Sequence, residues 1–451
     1  MINVNNEKND NNVINENNKK TTSTKTITAM RKTIFTLCCL LLTLGVPAQA
    51  KKKSAQPKYI FYFIGDGMGV NQVNATEIFL GQKEGKHGTS PLCFASFPYS
   101  ALVTTHSASN GVTDSAASGT ALATGHKTKN GALGLGEEFT DTVQSIAWAA
   151  KQKGLAVGVT TTVGTDHATP AAFYAHVNDR NNTKVIHAQR AVCGYDFIMG
   201  GADGQSLAYR LDRKEGELSQ ADIVRMAIDS LYRVNPKGFF LMSEGGMIDW
   251  ACHSNDAAAV IGETLDFDDA IKVAYNFYQQ HPHETLIVVT ADHETGGLVL
   301  TRGYYETRPG NLQYQKMTIK RLGWEMNRMR KELGERFGWE AVQDFLKENF
   351  GLGGALPLNN RQAERLKKAF ENTEKGIGKG EKTLYQEDSE FCACVRTLMQ
   401  EMALVTFAHT CHSAGYVPCF AIGAGAEQFS GRIDNTEIPK KIAKIAGLPL
   451  E

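Results

Sequence analysis

The feature that most constrains the fold is a recurrence of short, continuous apolar runs, each stopping at a polar or glycine-rich turn before a helix-like stretch begins. The run at 58–64 (KYIFYFI) ends in Gly65-Asp66-Gly67-Met68-Gly69, and 155–162, 238–243, 285–290 and 417–422 share the same plan. Continuous rather than alternating apolar runs mark strands buried on both faces. Between them, 115–124, 142–153, 220–233 and 257–280 read as helices. Strand, turn and helix in repetition predict an α/β fold: a doubly wound, mostly parallel central sheet flanked by helices. In such sheets ligands gather beyond the carboxyl ends of the strands. A site here is therefore assembled from turns that lie far apart in the chain.

The stretch from about 302 to 404 departs from this plan. It is rich in Lys, Arg, Glu and Gln with apolar residues at helical spacing, as in Met326-Asn327-Arg328-Met329-Arg330-Lys331-Glu332-Leu333. It reads as a helical insert, a cap or a subunit contact, with breaks at Gly351 to Gly354 and Gly376 to Gly380.

The first 29 residues carry nine Asn in their first twenty positions and have nothing to bury. Met30-Arg31-Lys32, an apolar run from 34 to 46 and Ala48-Gln49-Ala50 then come in the order of a secretory signal. That run is too short for the roughly 20 residues of a membrane span. The expectation is a disordered extension and signal peptide over 1–50, cleavage near Ala50, and a periplasmic or secreted catalytic domain over 51–451. Of 48 basic and 48 acidic residues the leader holds six and three, leaving a mature net charge of −3. Such a balance excludes nucleic-acid binding by bulk charge. Cys38 and Cys39 fall in the leader, and the seven later cysteines cannot all pair, so no particular disulfide is expected.

The turns carry the chemistry. Asp66 in G-D-G-M-G lies at a strand end, where glycines allow close backbone approach; alone, it reads equally as a helix cap. In Asp114-Ser115-Ala116-Ala117-Ser118-Gly119-Thr120-Ala121, Ser115 opens a helix, placing its hydroxyl at the positive end of the dipole. Such a serine needs a base or a metal to become a nucleophile, and no G-x-S-x-G elbow surrounds it. Asp249 and His253, four apart after Glu244, face one way on a helix. Asp292 and His293 come after the run at 285–290, and His412 precedes that at 417–422. Each histidine alone reads as a satisfied buried ring. Together they form a carboxylate and imidazole set suited to zinc, with carboxylates left over for a harder ion such as magnesium.

These five motifs, G-D-G-M-G, D-S-A-A-S-G-T-A, E-x4-D-x3-H, D-H-E-T-G-G and H-S-A in that order, resemble the alkaline phosphatase family from residue 59 to about 425. The resemblance implies one zinc on Asp249, His253 and His412, and a second on Asp66, Asp292 and His293 with Ser115 beside it. It implies magnesium on Asp66, Glu244 and Thr169, and Arg180 in A-H-V-N-D-R as the residue gripping phosphate. The activity it implies is phosphate monoester hydrolysis through a phosphoserine on Ser115, over a broad range of small-molecule monoesters, faster toward alkaline pH, in a possible homodimer. His167 and Trp250 stand where some members carry Asp and Lys, so His167 joins the candidate metal residues. Cys252 and Cys411, beside ligand positions, read as small apolar filler. A sulfatase would carry C-x-P-x-R or S-x-P-x-R around its nucleophile, and Ser115 has neither. A phosphodiesterase needs room for a second ester group, and a phosphate-binding protein does not need three imidazoles.

Overall fold

A computed structural model of the chain describes residues 56–202, 205–303 and 305–450. The expected extension, signal peptide, cleavage point and leader cysteines lie outside the described residues. Eight strands form one sheet: β1 (Tyr59–Ile64), β2 (Tyr99–Thr104), β3 (Ala156–Gly164), β4 (Phe197–Gly201), β5 (Phe239–Glu244), β6 (Thr285–Thr290), β7 (Val417–Gly423) and β8 (Gly431–Asp434). Their spatial order is β8-β2-β7-β6-β1-β5-β3-β4. Every pairing is parallel except those of β7, which runs antiparallel to β2 and β6.

The α/β reading holds in detail at the centre. Strand β1 is wholly buried, and its side chains alternate between two helical layers. Phe61 and Phe63 meet Phe277 and Phe267 of the helix Ala257–Gln280. On the other face the Tyr62 hydroxyl donates to the Leu122 carbonyl of the helix Ser115–Thr124. Helices thus cover both faces, which is why this strand is apolar throughout. Three strands were not expected. Strand β2 alternates in exposure, and β4 and β8 close the two edges of the sheet. None of the three has more than three consecutive apolar residues. The helix expected from 142 begins instead at Ile146, because the Ser145 hydroxyl caps it by accepting from the Trp148 amide.

The register determines where the site forms. Ile64 of β1 lies level with Glu244 of β5 and Thr290 of β6, and Thr161 of β3 pairs opposite Glu244. The turns after β1, β5 and β6 therefore leave the sheet at one level. The segment 302–404 supplies the helices Ile319–Leu333, Trp339–Phe350, Asn360–Glu374 and Glu390–Ala403. These share an apolar cluster that includes Leu322, Leu346, Phe370 and Leu398. Gly351, at φ +70°, ends the second of them.

A polar cluster ties the loop before residue 218 to the long helix Ala257–Gln280. Asp266 accepts from both terminal nitrogens of Arg213, at 2.8 and 2.7 Å, and Glu263 accepts the Arg210 amide at 2.6 Å. Burial, then the neighbouring Asp266, pushes the Glu263 carboxyl up to about 8 from its ordinary 4.5. Between those values the unfolded chain gives up a proton that the fold keeps. Rising pH therefore favours unfolding, and stability present below 4.5 is lost toward 8. Glu263→Gln is expected to flatten this part of the pH dependence in urea unfolding. An unchanged slope would show that Glu263 does not titrate in that window.

Candidate metal centre and catalytic cleft

The turn after β1 carries Asp66, which is fully buried. It does not cap the next helix: the N-cap of Val70–Lys83 is Gly69, with no side-chain bond. Gly67 holds φ +73°, and a Cβ there would lie 2.8 Å from the Asp249 Cα. Only glycine meets both demands. The Gly67 amide donates to Asp292 Oδ1 at 3.0 Å, as does the His293 amide at 2.8 Å, leaving Asp292 Oδ2 to face the site.

Strand β5 ends on Glu244, and the helix Met247–His253 comes next. The four-residue spacing places His253 Nε2 3.2 Å from Asp249 Oδ2, as helical geometry requires. His412 arrives on a short strand, His412–Ser413, paired antiparallel with Glu294–Thr295. Its ring stacks on His293 with centroids 3.6 Å apart. Ser115 is the first residue of its helix, capped by Asp114, and its Oγ lies 3.3 Å from His293 Nε2.

Three groups emerge, each with potential ligand atoms within 4.8 Å of one another: Asp249, His293 and His412; Asp66, Asp292 and His293; and Asp66, Glu244 and His167. His253 joins the first through its Nε2, 3.2 Å from His412 Nε2. Thr169 joins the third by donating to Asp66 Oδ2 at 3.3 Å. All nine sequence-derived metal candidates thus come together.

The donor set is that of a cation site. His253 Nδ1 and His412 Nδ1 face the carbonyls of Thr410 and Thr113 at 2.5 and 2.9 Å. A carbonyl only accepts, so both Nδ1 atoms carry hydrogen, and in the neutral rings both Nε2 atoms present lone pairs. The Thr295 hydroxyl donates to Asp249 Oδ1 at 2.6 Å and so accepts from His293 Nδ1 at 3.2 Å, leaving His293 Nε2 bare as well. Four buried carboxylate oxygens, Asp66 Oδ1, Glu244 Oε1, Asp249 Oδ2 and Asp292 Oδ2, have no hydrogen-bond partner. Lone pairs facing carboxylates repel unless a cation lies between them.

The electrostatics agree. Burial, then Asp292, Asp249 and Glu244, pushes the Asp66 carboxyl well above its usual range. Burial, partly offset by the Thr161 hydrogen bond, pushes Glu244 up to about 8. Burial would raise Asp249 too, but positive charge beside it, carried by His253 and the other imidazoles when they are protonated, holds it below the ordinary value. His167 is pushed down to about 3 by burial and by Arg180.

Arg180 is no loose surface residue. Its Nη1 donates to Asp114 Oδ2 and its Nη2 faces His167 Nε2, both at 3.2 Å. It lines a cleft of about 610 Å³ with Ser115, His167, Trp250, Tyr385 and His412. Asp114 accepts the Ala117 amide at Oδ1, capping the helix, and its second oxygen holds Arg180, a partnership the sequence does not show. The sequence also passes over Thr161, which donates to Glu244, and Thr295. Thr295 lies inside the D-H-E-T-G-G motif, which was signal enough to find it; Tyr385 lies in no motif. Cys252 is buried and Cys411 exposed, and all seven described cysteines are free.

The chain matches the family model for alkaline phosphatase over residues 57–196 and 189–448. It is 30% identical to alkaline phosphatase 4 of Bacillus subtilis, over 88% of this chain and 91% of that one. Alkaline phosphatase 3 of the same organism is 28% identical over the same shares. Among solved structures, the cold-active alkaline phosphatase of a psychrophilic Shewanella superposes with a TM-score of 0.74 at 26% identity, covering 86% of this chain and 99% of that one. A histidine-to-aspartate variant of TAB5 alkaline phosphatase, with magnesium bound, covers 87% and 99% at 25% identity and a TM-score of 0.59.

Gly67→Ala would force a Cβ against the Asp249 backbone. The expected outcome is a folded protein whose affinity for divalent ions falls about tenfold or more, measured by calorimetric titration, since displaced ligands bind poorly. Unchanged affinity would show that this turn does not position Asp249.

Proposed function

The chain belongs to the alkaline phosphatase family, whose members bind metal ions and hydrolyse phosphate monoesters, and we propose that it does so through a phosphoserine on Ser115 with two zinc ions and one magnesium ion. The observation that carries this reading is the set of four partnerless buried carboxylate oxygens facing imidazole lone pairs beside a helix-opening serine. One zinc is assigned to Asp249, His253 and His412, and the other to Asp66, Asp292 and His293 with Ser115 alongside. Magnesium is assigned to Asp66, Glu244 and Thr169, with His167 beside it; the magnesium in the TAB5 variant supports a third ion of that kind. When bound, such ions act as Lewis acids, favouring the serine alkoxide, the leaving alkoxide and the charge on the phosphoryl group.

The residues divide the remaining work. Ser115 Oγ forms a bond to phosphorus as the ester oxygen departs with the alcohol, and water then splits the phosphoserine to inorganic phosphate and free Ser115. The positive end of the helix Ser115–Thr124 favours the incoming dianion. Arg180, aimed by Asp114, offers two N–H groups to two phosphoryl oxygens. A monoester keeps three unesterified oxygens, so one is left for a metal ion when two lie on Arg180, whereas a diester keeps only two and has none to spare, which favours the monoesterase reading. The Met30 to Ala50 pattern supports export. No helix among the described residues is long and apolar enough to cross a membrane.

Ser115→Ala is expected to abolish acid-stable labelling by radioactive phosphate and lower kcat by about 1,000-fold or more, as loss of a nucleophile does, while phosphate still binds. Retained labelling would place the nucleophile elsewhere. Arg180→Ala is expected to weaken inhibition by inorganic phosphate about tenfold or more, the worth of a charge-assisted pair, with metal content unchanged. Unaltered inhibition would exclude the clamp. Chelation should abolish turnover, and zinc with magnesium should restore it; full activity in the metal-free protein would overturn the proposal.

A further inference from the structure

Beyond phosphoryl chemistry, the cleft has a wall supplied by a distant part of the chain. Glu381–Lys382 pairs antiparallel with Glu387–Asp388 to make a small hairpin. The Thr383 amide donates to the Gln386 carbonyl at 2.7 Å, so Leu384 and Tyr385 form the hairpin's two-residue tip. Tight tips of this kind usually take Asn-Gly or another pair that tolerates left-handed backbone. Here the tip is Leu-Tyr, with no turn-forming residue, and neither residue holds a positive φ. The hairpin is nonetheless firmly held. Arg396, only 5% exposed, donates to both Asp388 and Glu381, clamping the two arms to the helix Glu390–Ala403.

The tip points into the catalytic cleft. Leu384 and Tyr385 line the same 610 Å³ space as Ser115 and Arg180. The Tyr385 ring stacks on Trp250, with centroids 4.7 Å apart at 25°, and meets His253 edge-on at 5.3 Å. Leu384, on the cleft wall, keeps 67% of its surface exposed. Leu384 thus presents an apolar surface to the cleft from an anchored hairpin, beside the aromatic pair of Tyr385 and Trp250. Arg180 and the helix N-terminus suit the phosphoryl group, so this second surface is left for the organic part of the ester.

We propose that Leu384 and Tyr385, with Trp250 behind them, form a specificity-determining wall that receives the alcohol portion of the substrate and favours flat, apolar groups over small ones. This rests on the monoesterase reading above. Leu384 offers a methyl-rich surface, and the Tyr385–Trp250 pair offers a rigid aromatic face against which a ring can stack.

The test compares 2-phenylethyl phosphate with ethyl phosphate, both esters of primary alcohols, so that their leaving groups differ chiefly in the ring. Wild-type enzyme is expected to prefer the phenylethyl ester in kcat/KM by about tenfold or more, the scale of a modest apolar contact. In Tyr385→Ala that preference should collapse about tenfold, through KM for the phenylethyl ester, and Tyr385→Phe should restore it because the ring, not the hydroxyl, makes the wall. Leu384→Ala, at an exposed position that does not threaten folding, should lower the preference severalfold and decides the matter if Tyr385→Ala does not fold. Equal losses on both esters, or an undiminished preference in both alanine variants, would overturn the wall. Wild-type enzyme that hydrolyses ethyl phosphate without discrimination would also overturn it while leaving the monoesterase reading intact. Hydrolysis of neither ester would sink both.

Discussion

Four carboxylates buried within reach of one another are the constraint around which this molecule is organised. Asp66, Glu244, Asp249 and Asp292 are all 1% exposed or less. Taking each charge out of water costs several kcal/mol when it is not compensated, and bringing like charges together adds to that. A chain tolerates this arrangement only where two conditions hold: the surrounding apolar sheet is strong enough to outweigh it, and the cluster has a partner that the polypeptide itself does not provide. The buried strands β1, β5 and β6 meet the first condition. Metal ions, which the family binds, meet the second.

Parallel pairing makes the convergence possible. Adjacent parallel strands leave the sheet in the same direction, so residues just past their ends meet without long loops. Because Ile64, Glu244 and Thr290 share one level, a slip of one residue in any of the three strands would turn its ligand away. The same edge supplies the hydroxyls that steady the carboxylates, Thr161 on Glu244 and Thr295 on Asp249. Second partners of this kind restrict how each ligand can turn.

The parts of this arrangement that rest on local chemistry were legible in the sequence. Strand β1, the helix Ser115–Thr124 and the pair Asp249 and His253 each arise from a pattern contained within a dozen residues. Asp66, Glu244, Asp249, His253, Asp292, His293 and His412 could be named because their motifs lie at strand ends, whereas Thr169 and His167 rested on the family resemblance; the structure brings all of them together. The features that were not legible depend on distant packing. Strand β2 takes its place from its neighbours β7 and β8, and its own residues only alternate in exposure. The partnership of Asp114 with Arg180 joins residues 66 positions apart, and nothing in either local sequence points to the other. Tyr385 lies in a polar, glycine-interrupted stretch, and only the closing of the hairpin over the cleft gives it a role.

The two ends of the cleft are therefore built under different rules. At the phosphoryl end each residue is fixed by more than one demand: Gly67 by backbone and space, Asp292 by two amides, Arg180 by Asp114 and His167. A change there disturbs more than one contact, so that end admits little variation. At the hairpin the backbone is held by Arg396 through Asp388 and Glu381, while the tip side chains are not required for that hold. Leu384, exposed and outside the Arg396 clamp, can therefore change without loosening the hairpin or moving the ligands, whereas Tyr385 also packs on Trp250 and His253. Separating a rigid reactive end from a replaceable wall lets one reaction serve different esters on a single scaffold. It also accounts for a helical segment of about a hundred residues whose tip reaches a site formed at the ends of strands elsewhere in the chain.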